Sequence, residues 1–294
     1  MKKMIQPSSH RNPLALATAL AAALSAQTAA AQSSDLGGEE YLAYLRSLSD
    51  YQQAPIAAAP KAQGSASTIG IPSGFTLPKN TGFVALALSD TRERKGSKDL
   101  DGSAAFGLGF GDAASGLGFE AILGLSSVGA GANNSFDASD FGDSGSLNLK
   151  FSRLVPSPFA GGTASVAFGV GRAFRWGDME DEDPNYYGAW SSTFSVPTTS
   201  GKTLPGLLTA GYGSAIGTNE DIDGAFLGLG LGVTDWLSVG GSWYGDEVQA
   251  GITTSFQVRR DMKLQIGVSY GDVGHQHSDG RWLLSVALVD FDLF

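Results

Sequence analysis

The sequence predicts an all-β protein: an antiparallel transmembrane β-barrel of about twelve strands behind a short N-terminal helix and linker. Three observations predict it. From Glu247 to Val258 two chemistries alternate one residue at a time, with Glu247, Gln249, Gly251, Thr253, Ser255 and Gln257 against Val248, Ala250, Ile252, Thr254, Phe256 and Val258. Successive side chains of a strand point to opposite faces, so such a strand has a polar and an apolar face. The same alternation recurs along most of the chain, follows a secretory signal, and ends on a terminal aromatic, Phe294. Soluble sheets also alternate. The combination points to a closed wall with lipid outside and water inside.

The N-terminus reads as the signal. Lys2, Lys3 and Arg11 form the positive region, Leu14 to Leu24 the apolar core, and Ala29 to Ala31 a small-residue cleavage site before Gln32. A retained anchor is the alternative, but this apolar core is shorter than the roughly 20 residues a helical span needs. Residues 1–31 are therefore assigned as signal peptide, 32–75 as a periplasmic N-terminal segment, and 76–294 as an outer-membrane β-barrel.

Within that segment Glu39 to Tyr51 fits a short helix, with Tyr41, Leu45 and Leu48 on one face. Residues 54–68 are rich in Ala, Pro, Gln and Ser and read as a linker. The helix could plug the barrel, lie on the membrane, or bind a periplasmic partner through residues 39–51; the plainer reading is a partly ordered tail.

Twelve strands are expected at 83–89, 102–111, 116–126, 145–154, 163–173, 187–197, 204–213, 223–233, 236–244, 247–258, 262–271 and 281–293. Counts of ten or fourteen stay open, because the second and seventh strands carry several Gly or a Pro. Outward apolar rows include Phe106, Leu108 and Phe110; Leu117, Phe119, Ala121 and Leu123; Val166, Phe168 and Val170; and Leu227, Leu229, Leu231 and Val233. Their inward partners are small or polar, as with Gly228, Gly230 and Gly232.

Connection length adds independent information. Links after even strands are brief (Gly111–Ser115, Val233–Trp236, Arg259–Asp261), while most after odd strands are long and acidic or Gly/Asn-rich. Bacterial barrels have short periplasmic turns and longer external loops. Trp176, Trp190, Trp243 and Trp282 are expected near the outer rim, and Phe151, Trp236 and Phe294 near the inner rim, as two aromatic girdles. A sandwich core is the alternative account of these aromatics. In the last strand Asp290 and Asp292 share parity with Phe294. Either the strand bulges or Phe291 and Leu293 form the lipid face.

Composition agrees. Only 16% of the 294 residues are charged, against roughly 25% in soluble proteins. Mean hydropathy is −0.01, and no run beyond residue 31 is long and apolar enough for a helical span. The absence of cysteine excludes disulfides, thiolate metal sites and an acylated-cysteine anchor. Without the signal the chain keeps 16 basic against 29 acidic residues, a net −13, which argues against nucleic acid as a partner.

Residues 74–294 resemble a largely uncharacterised, porin-like family of bacterial outer-membrane β-barrel proteins. The resemblance is carried by Asp101-Gly-Ser-Ala-Ala-Phe-Gly-Leu-Gly-Phe-Gly-Asp112, by Phe141-Gly-Asp143 before the Lys150 strand, by Arg175-Trp-Gly-Asp178 and by Tyr187-Gly188. It implies a barrel but no established activity, so no catalytic residue follows from it. A looser similarity to exopolysaccharide-secretion barrels runs through Leu229 to Tyr244, with the Asp235-Trp236-Leu237 turn.

Four candidate sites follow. Gly107-Leu-Gly109-Phe-Gly111 and Gly211-Tyr-Gly213 suggest a phosphate loop, but their period of two places them inside strands, not at a helix start. Glu120, Lys150, Glu247, Gln249, Arg259 and Lys263 are expected in the lumen, lining a water-filled path and tuning ion selectivity; cross-barrel pairs that fill the lumen are the alternative. Asp178, Glu180, Asp181, Glu182 and Asp183, with Asp137, Asp140 and Asp143, could hold a divalent cation through hard oxygen ligands, although a solvated loop has the same composition. His275 and His277, near Asp272, Ser278 and Asp279, could support an external-loop hydrolase; two His at that spacing make a weak metal site.

The expected function is a porin-like passive channel for ions or small polar solutes, without a cofactor or catalytic residues. Accessory work in surface polysaccharide export and an outer-membrane hydrolase are the alternatives. Expected partners are outer-membrane lipid and lipopolysaccharide, and the barrel-assembly machinery.

Overall fold

Each period-two stretch forms a strand, and the strands close on themselves. The computed structural model describes residues 66–90, 100–125, 130–131, 135–136, 142–216, 222–259, 262–274 and 280–292. The strands are β1 (Thr81–Asp90), β2 (Leu100–Gly111), β3 (Gly118–Leu125), β4 (Ala130–Gly131), β5 (Ser135–Phe136), β6 (Gly145–Val155) and β7 (Ala164–Trp176). They continue with β8 (Asn185–Pro197), β9 (Thr203–Ile216), β10 (Ile222–Gly232), β11 (Leu237–Tyr244), β12 (Glu247–Arg259), β13 (Met262–Gly271) and β14 (Arg281–Asp292). The two-residue strands β4 and β5 pair only with each other; the other twelve form one antiparallel barrel in chain order, sealed by β1 against β14.

The predicted strands are all present, each within a few residues of its expected ends. Alternation is visible in β10, where Leu227 is 49% exposed and its neighbour Phe226 is 1% exposed. Leu229, Val239, Trp243, Ile252 and Phe256 continue the exposed apolar exterior. An aqueous surroundings would leave this belt unsolvated, whereas a bilayer matches it, which makes the wall one of transmembrane type.

One rim carries tight turns. At the β2–β3 link the Asp112 carboxylate accepts hydrogen bonds from the Ser115 hydroxyl (2.7 Å) and the Ala114 N–H (2.9 Å). These bonds hold the Asp112 carboxyl below its ordinary pKa. At the β10–β11 link Thr234 caps the turn by accepting from the Leu237 N–H at 3.0 Å. Aromatic rings gather at this rim: Phe119 lies between Phe110 and Phe151, with centroids 5.8 and 4.9 Å away, and Trp236 stacks on Phe256 at 6.2 Å. At the long-loop rim Tyr270 packs on Trp282 at 5.0 Å, and the Trp176 indole N–H donates to the Gly142 carbonyl at 2.8 Å. Trp190 departs from the expected girdle. It pairs with Val166 and Ala210, within the wall rather than at the outer rim.

Four register shifts interrupt the ladders, one of them between Gln257 and Arg259 at the end of β12. On β14, Gly82 pairs with Phe291 and Phe83 with Val289, leaving Asp290 as the extra residue. Of the two readings open for the last strand, this is the bulge. On β7, Leu147 pairs with Phe174 and Leu149 with Val170, and Arg172 takes a positive φ of 53°. That conformation costs a non-glycine residue about 1–3 kcal/mol and turns the guanidinium into the interior, where Arg172 is 1% exposed. A further shift lies between Ile222 and Gly224 on β10.

Candidate functional site: an occupied bore

The inner wall is made of hydroxyls, amides and glycines. Buried inward residues include Ser103, Ser146, Asn148, Ser152, Ser191, Thr209, Ser238, Ser242, Gln249, Thr253, Gln265 and Ser285. Glycines on β10 and β11 supply the open places. The bore is nevertheless full, because residues 66–78 run through it.

This segment has no regular secondary structure, yet Ser67, Thr68, Ile69, Ile71, Ser73, Phe75 and Leu77 are all buried. It joins β1 through a turn at the short-turn rim: the Thr81 N–H donates to the Pro78 carbonyl at 3.2 Å, the Asn80 N–H donates to Gly109 at 3.0 Å, and Asn80 takes a φ of 64°. Further in, the Leu77 N–H donates to Glu120 Oε2 at 2.8 Å, and Thr76 and Ser152 hydroxyls lie 2.7 Å apart. The Gly74 N–H donates to Ser191 Oγ at 2.8 Å, and Thr68 Oγ1 donates to Thr209 Oγ1 at 3.5 Å. The Ser242 hydroxyl donates to the Ile69 carbonyl.

Apolar side chains of the segment find inward apolar partners. Ile71 packs with Tyr187, Ala189, Phe226 and Tyr244. Ile69 and Leu77 join Phe83, Ile122 and Leu283. Glycines let the backbone approach: a Cβ at Gly230 or Gly240 would collide with the Ser67 backbone, and one at Gly228 would meet Ile71 Cδ1 at 2.5 Å.

The charges of the bore come in pairs. Glu120 and Lys150 are register partners on β3 and β6, joined at 3.1 Å with side chains 1% and 3% exposed. Glu247 meets Arg281 at 3.4 Å across β13. Gly271 lies between them, where a Cβ would strike the Glu247 carboxylate. Gln249 is buried against Gly70 of the segment. Of the lumen residues expected from sequence, Glu120, Lys150, Glu247 and Gln249 are therefore inside. Lys263 is half-buried, and Arg259 is exposed at the β12–β13 turn.

Sequence reasoning missed Arg172 and Arg281. Arg281 has the inward parity of Leu283 and Ser285, and that is the signal that would have found it. Arg172 gives no such signal, since the β7 bulge breaks parity there.

The acidic loop contains a short 3-10 helix, Gly177–Asp181. Glu182 is bound to the Arg172 guanidinium at 3.1 Å, while Glu180, Asp183 and Asp143 are exposed. Asp137 and Asp140 lie outside the described residues, and among the described residues no group of three His or acidic residues is arranged to hold a metal. His275, His277, Ser278 and Asp279 lie outside the described residues; Asp272 is fully buried at the end of β13 with a φ of 58°.

Wall and bore together define a closed, twelve-stranded transmembrane-type barrel whose lumen holds the segment preceding its first strand. No protein-family model and no curated protein matches the chain. Among solved structures it is similar to the KdgM porin in complex with disordered oligogalacturonate, at 10% identity and TM-score 0.45 over 70% of this chain and 97% of that one. It is also similar to an outer membrane channel from Pseudomonas putida F1, at 12% identity and TM-score 0.42 over 79% and 99%. Outer membrane phospholipase A from Escherichia coli matches at 12% identity and TM-score 0.42 over 86% and 98%. The strand pairing, not these distant likenesses, defines the fold.

Proposed function

We propose that this chain is an outer-membrane, porin-like channel for ions or small polar solutes, exported by its N-terminal signal. The observation that carries the reading is the reversal of chemistry across one wall. Leu227, Leu229, Val239 and Ile252 face out, while hydroxyls, amides and paired charges face in. A water-filled path needs a polar inner wall of this kind. Because Glu120 is matched by Lys150 and Glu247 by Arg281, the bore is charge-compensated and discriminates weakly between cations and anions. Gln249, Lys263 at the short-turn end and Arg259 at the rim tune that balance.

The orientation follows from the connections. The tight turns face the periplasm and the long loops the outside, so residues 66–78 enter from the periplasmic rim. Lipopolysaccharide around the exposed belt and the barrel-assembly machinery are the partners this location entails.

The test is conductance. The purified chain and a variant lacking residues 66–76 are reconstituted in planar bilayers. The deletion variant shows stepwise conductance, and a folded but persistently silent deletion variant sinks the channel reading.

A further inference from the structure

We propose that residues 66–78 are a releasable gate: they occlude the bore at rest and leave it for conduction. This rests on the channel reading above.

Two independent observations carry the inference. The first is how the segment is held. It adds no strand to the wall, and the polar contacts named above for residues 68–77 are made to wall side chains. Ser191 supplies two such contacts, and Glu120, Ser242, Thr209 and Ser152 one each. These bonds can break one by one while every ladder of the barrel stays intact. The segment shares no backbone ladder with the wall, so its release would leave the cylinder closed.

The second observation is how poorly the wall is satisfied by its occupant. Both amide atoms of Gln265, Thr253 Oγ1, Gln249 Oε1 and Ser269 Oγ on β12 and β13 are buried without a hydrogen-bond partner, as is Ser67 Oγ of the segment itself. Native interiors pair such groups in the great majority of cases. A lumen that alternates between this filler and water or polar solute needs the hydroxyls and amides in its other state. The same wall still offers Gly228, Gly230 and Gly240 as a seat for the segment, so the seated state is also built.

The geometry locates the moving part. The turn from Pro78 to Thr81 ties the segment to β1. Gly70, with a φ of 72°, is its bend. Residues 66–76 therefore swing about the Pro78–Thr81 turn toward the short-turn rim, carrying Ile71 out of its Tyr187, Phe226 and Tyr244 pocket.

The chain has no cysteine, so T68C/T209C introduces its only two thiols where the hydroxyl oxygens lie 3.5 Å apart. Single-channel recordings in planar bilayers compare this variant oxidised and reduced, the full chain, and the variant lacking residues 66–76. The gate predicts brief openings of the full chain, silence of the oxidised variant, return of openings with reductant, and near-continuous conductance after deletion. An oxidised variant that conducts like the reduced one overturns the gate, as does a full chain already as open as the deletion variant. A full chain that never opens beside an open deletion variant makes the segment a fixed plug; the gate then falls while the channel reading stands. A folded, silent deletion variant overturns both. S73C/S191C, with hydroxyls 3.3 Å apart, repeats the locking test at a second point should the first pair fail to oxidise.

Discussion

Gly230 and Gly240 are register partners on β10 and β11, and the backbone of Ser67 lies against both. The wall is thinnest where the segment inside it comes closest. Two inward methyl groups at this point would occupy the place of the Ser67 peptide.

The first prediction concerns that seat. G230A/G240A should raise the fraction of time the bore is open, because overpacking costs about 1–3 kcal/mol and that range shifts a two-state ratio roughly 5- to 150-fold. Open probability in single-channel recordings measures it. Unchanged gating in a normally folded variant would mean that the segment is not held there.

Selectivity should follow the paired charges with a definite sign. In the deletion background, E247Q leaves Arg281 without its carboxylate partner at 3.4 Å, so the bore gains positive charge and favours anions. K150M exposes Glu120 and favours cations. Reversal potentials under a potassium chloride gradient should move in opposite directions for the two variants. Shifts of the same sign would remove both residues from the conduction path.

Stability should depend on keeping the inner pair together. Breaking a buried ion pair by removing one partner costs about 3–5 kcal/mol, and Glu120 and Lys150 are almost wholly buried. K150M should therefore lower the denaturant midpoint in detergent more than E120Q/K150M, which leaves no lone charge. E182Q should cost less than K150M, because the Glu182 carboxylate keeps contact with solvent while Lys150 and Glu120 do not.

The lipid face gives a fourth expectation. L229R places a guanidinium on the exposed apolar belt and should cost about 2–4 kcal/mol of folding into liposomes if it lies at the midplane. Q257K, at the exposed end of β12, should cost little. Equal costs at the two positions would mean the belt does not face lipid.

The strands were legible because period-two alternation and turn chemistry act locally, and β10 shows both within a dozen residues. The Asp290 bulge was legible for the same reason: a parity conflict appears on the page. The bore was harder. Glu120 and Lys150 were both recognised as inward, but their pairing needs the β3–β6 register. Glu247 finds Arg281 only because Gly271 opens the way across β13. Residues 66–78 carry no period at all, since Ile69-Gly70-Ile71-Pro72 is ordered by the surface it lies on rather than by its own backbone. Trp190 was misplaced because a ring in mid-wall and a ring at a rim look alike without strand register.

Closure of β1 on β14 has a consequence for assembly. The seam joins the first strand to the last, so the cylinder stays ajar until its final hairpin arrives. Residues 66–78 come just before β1 and can be laid against the nascent concave surface from the side. Their route inward is then set by the order of sealing, and no threading through a finished tube is required.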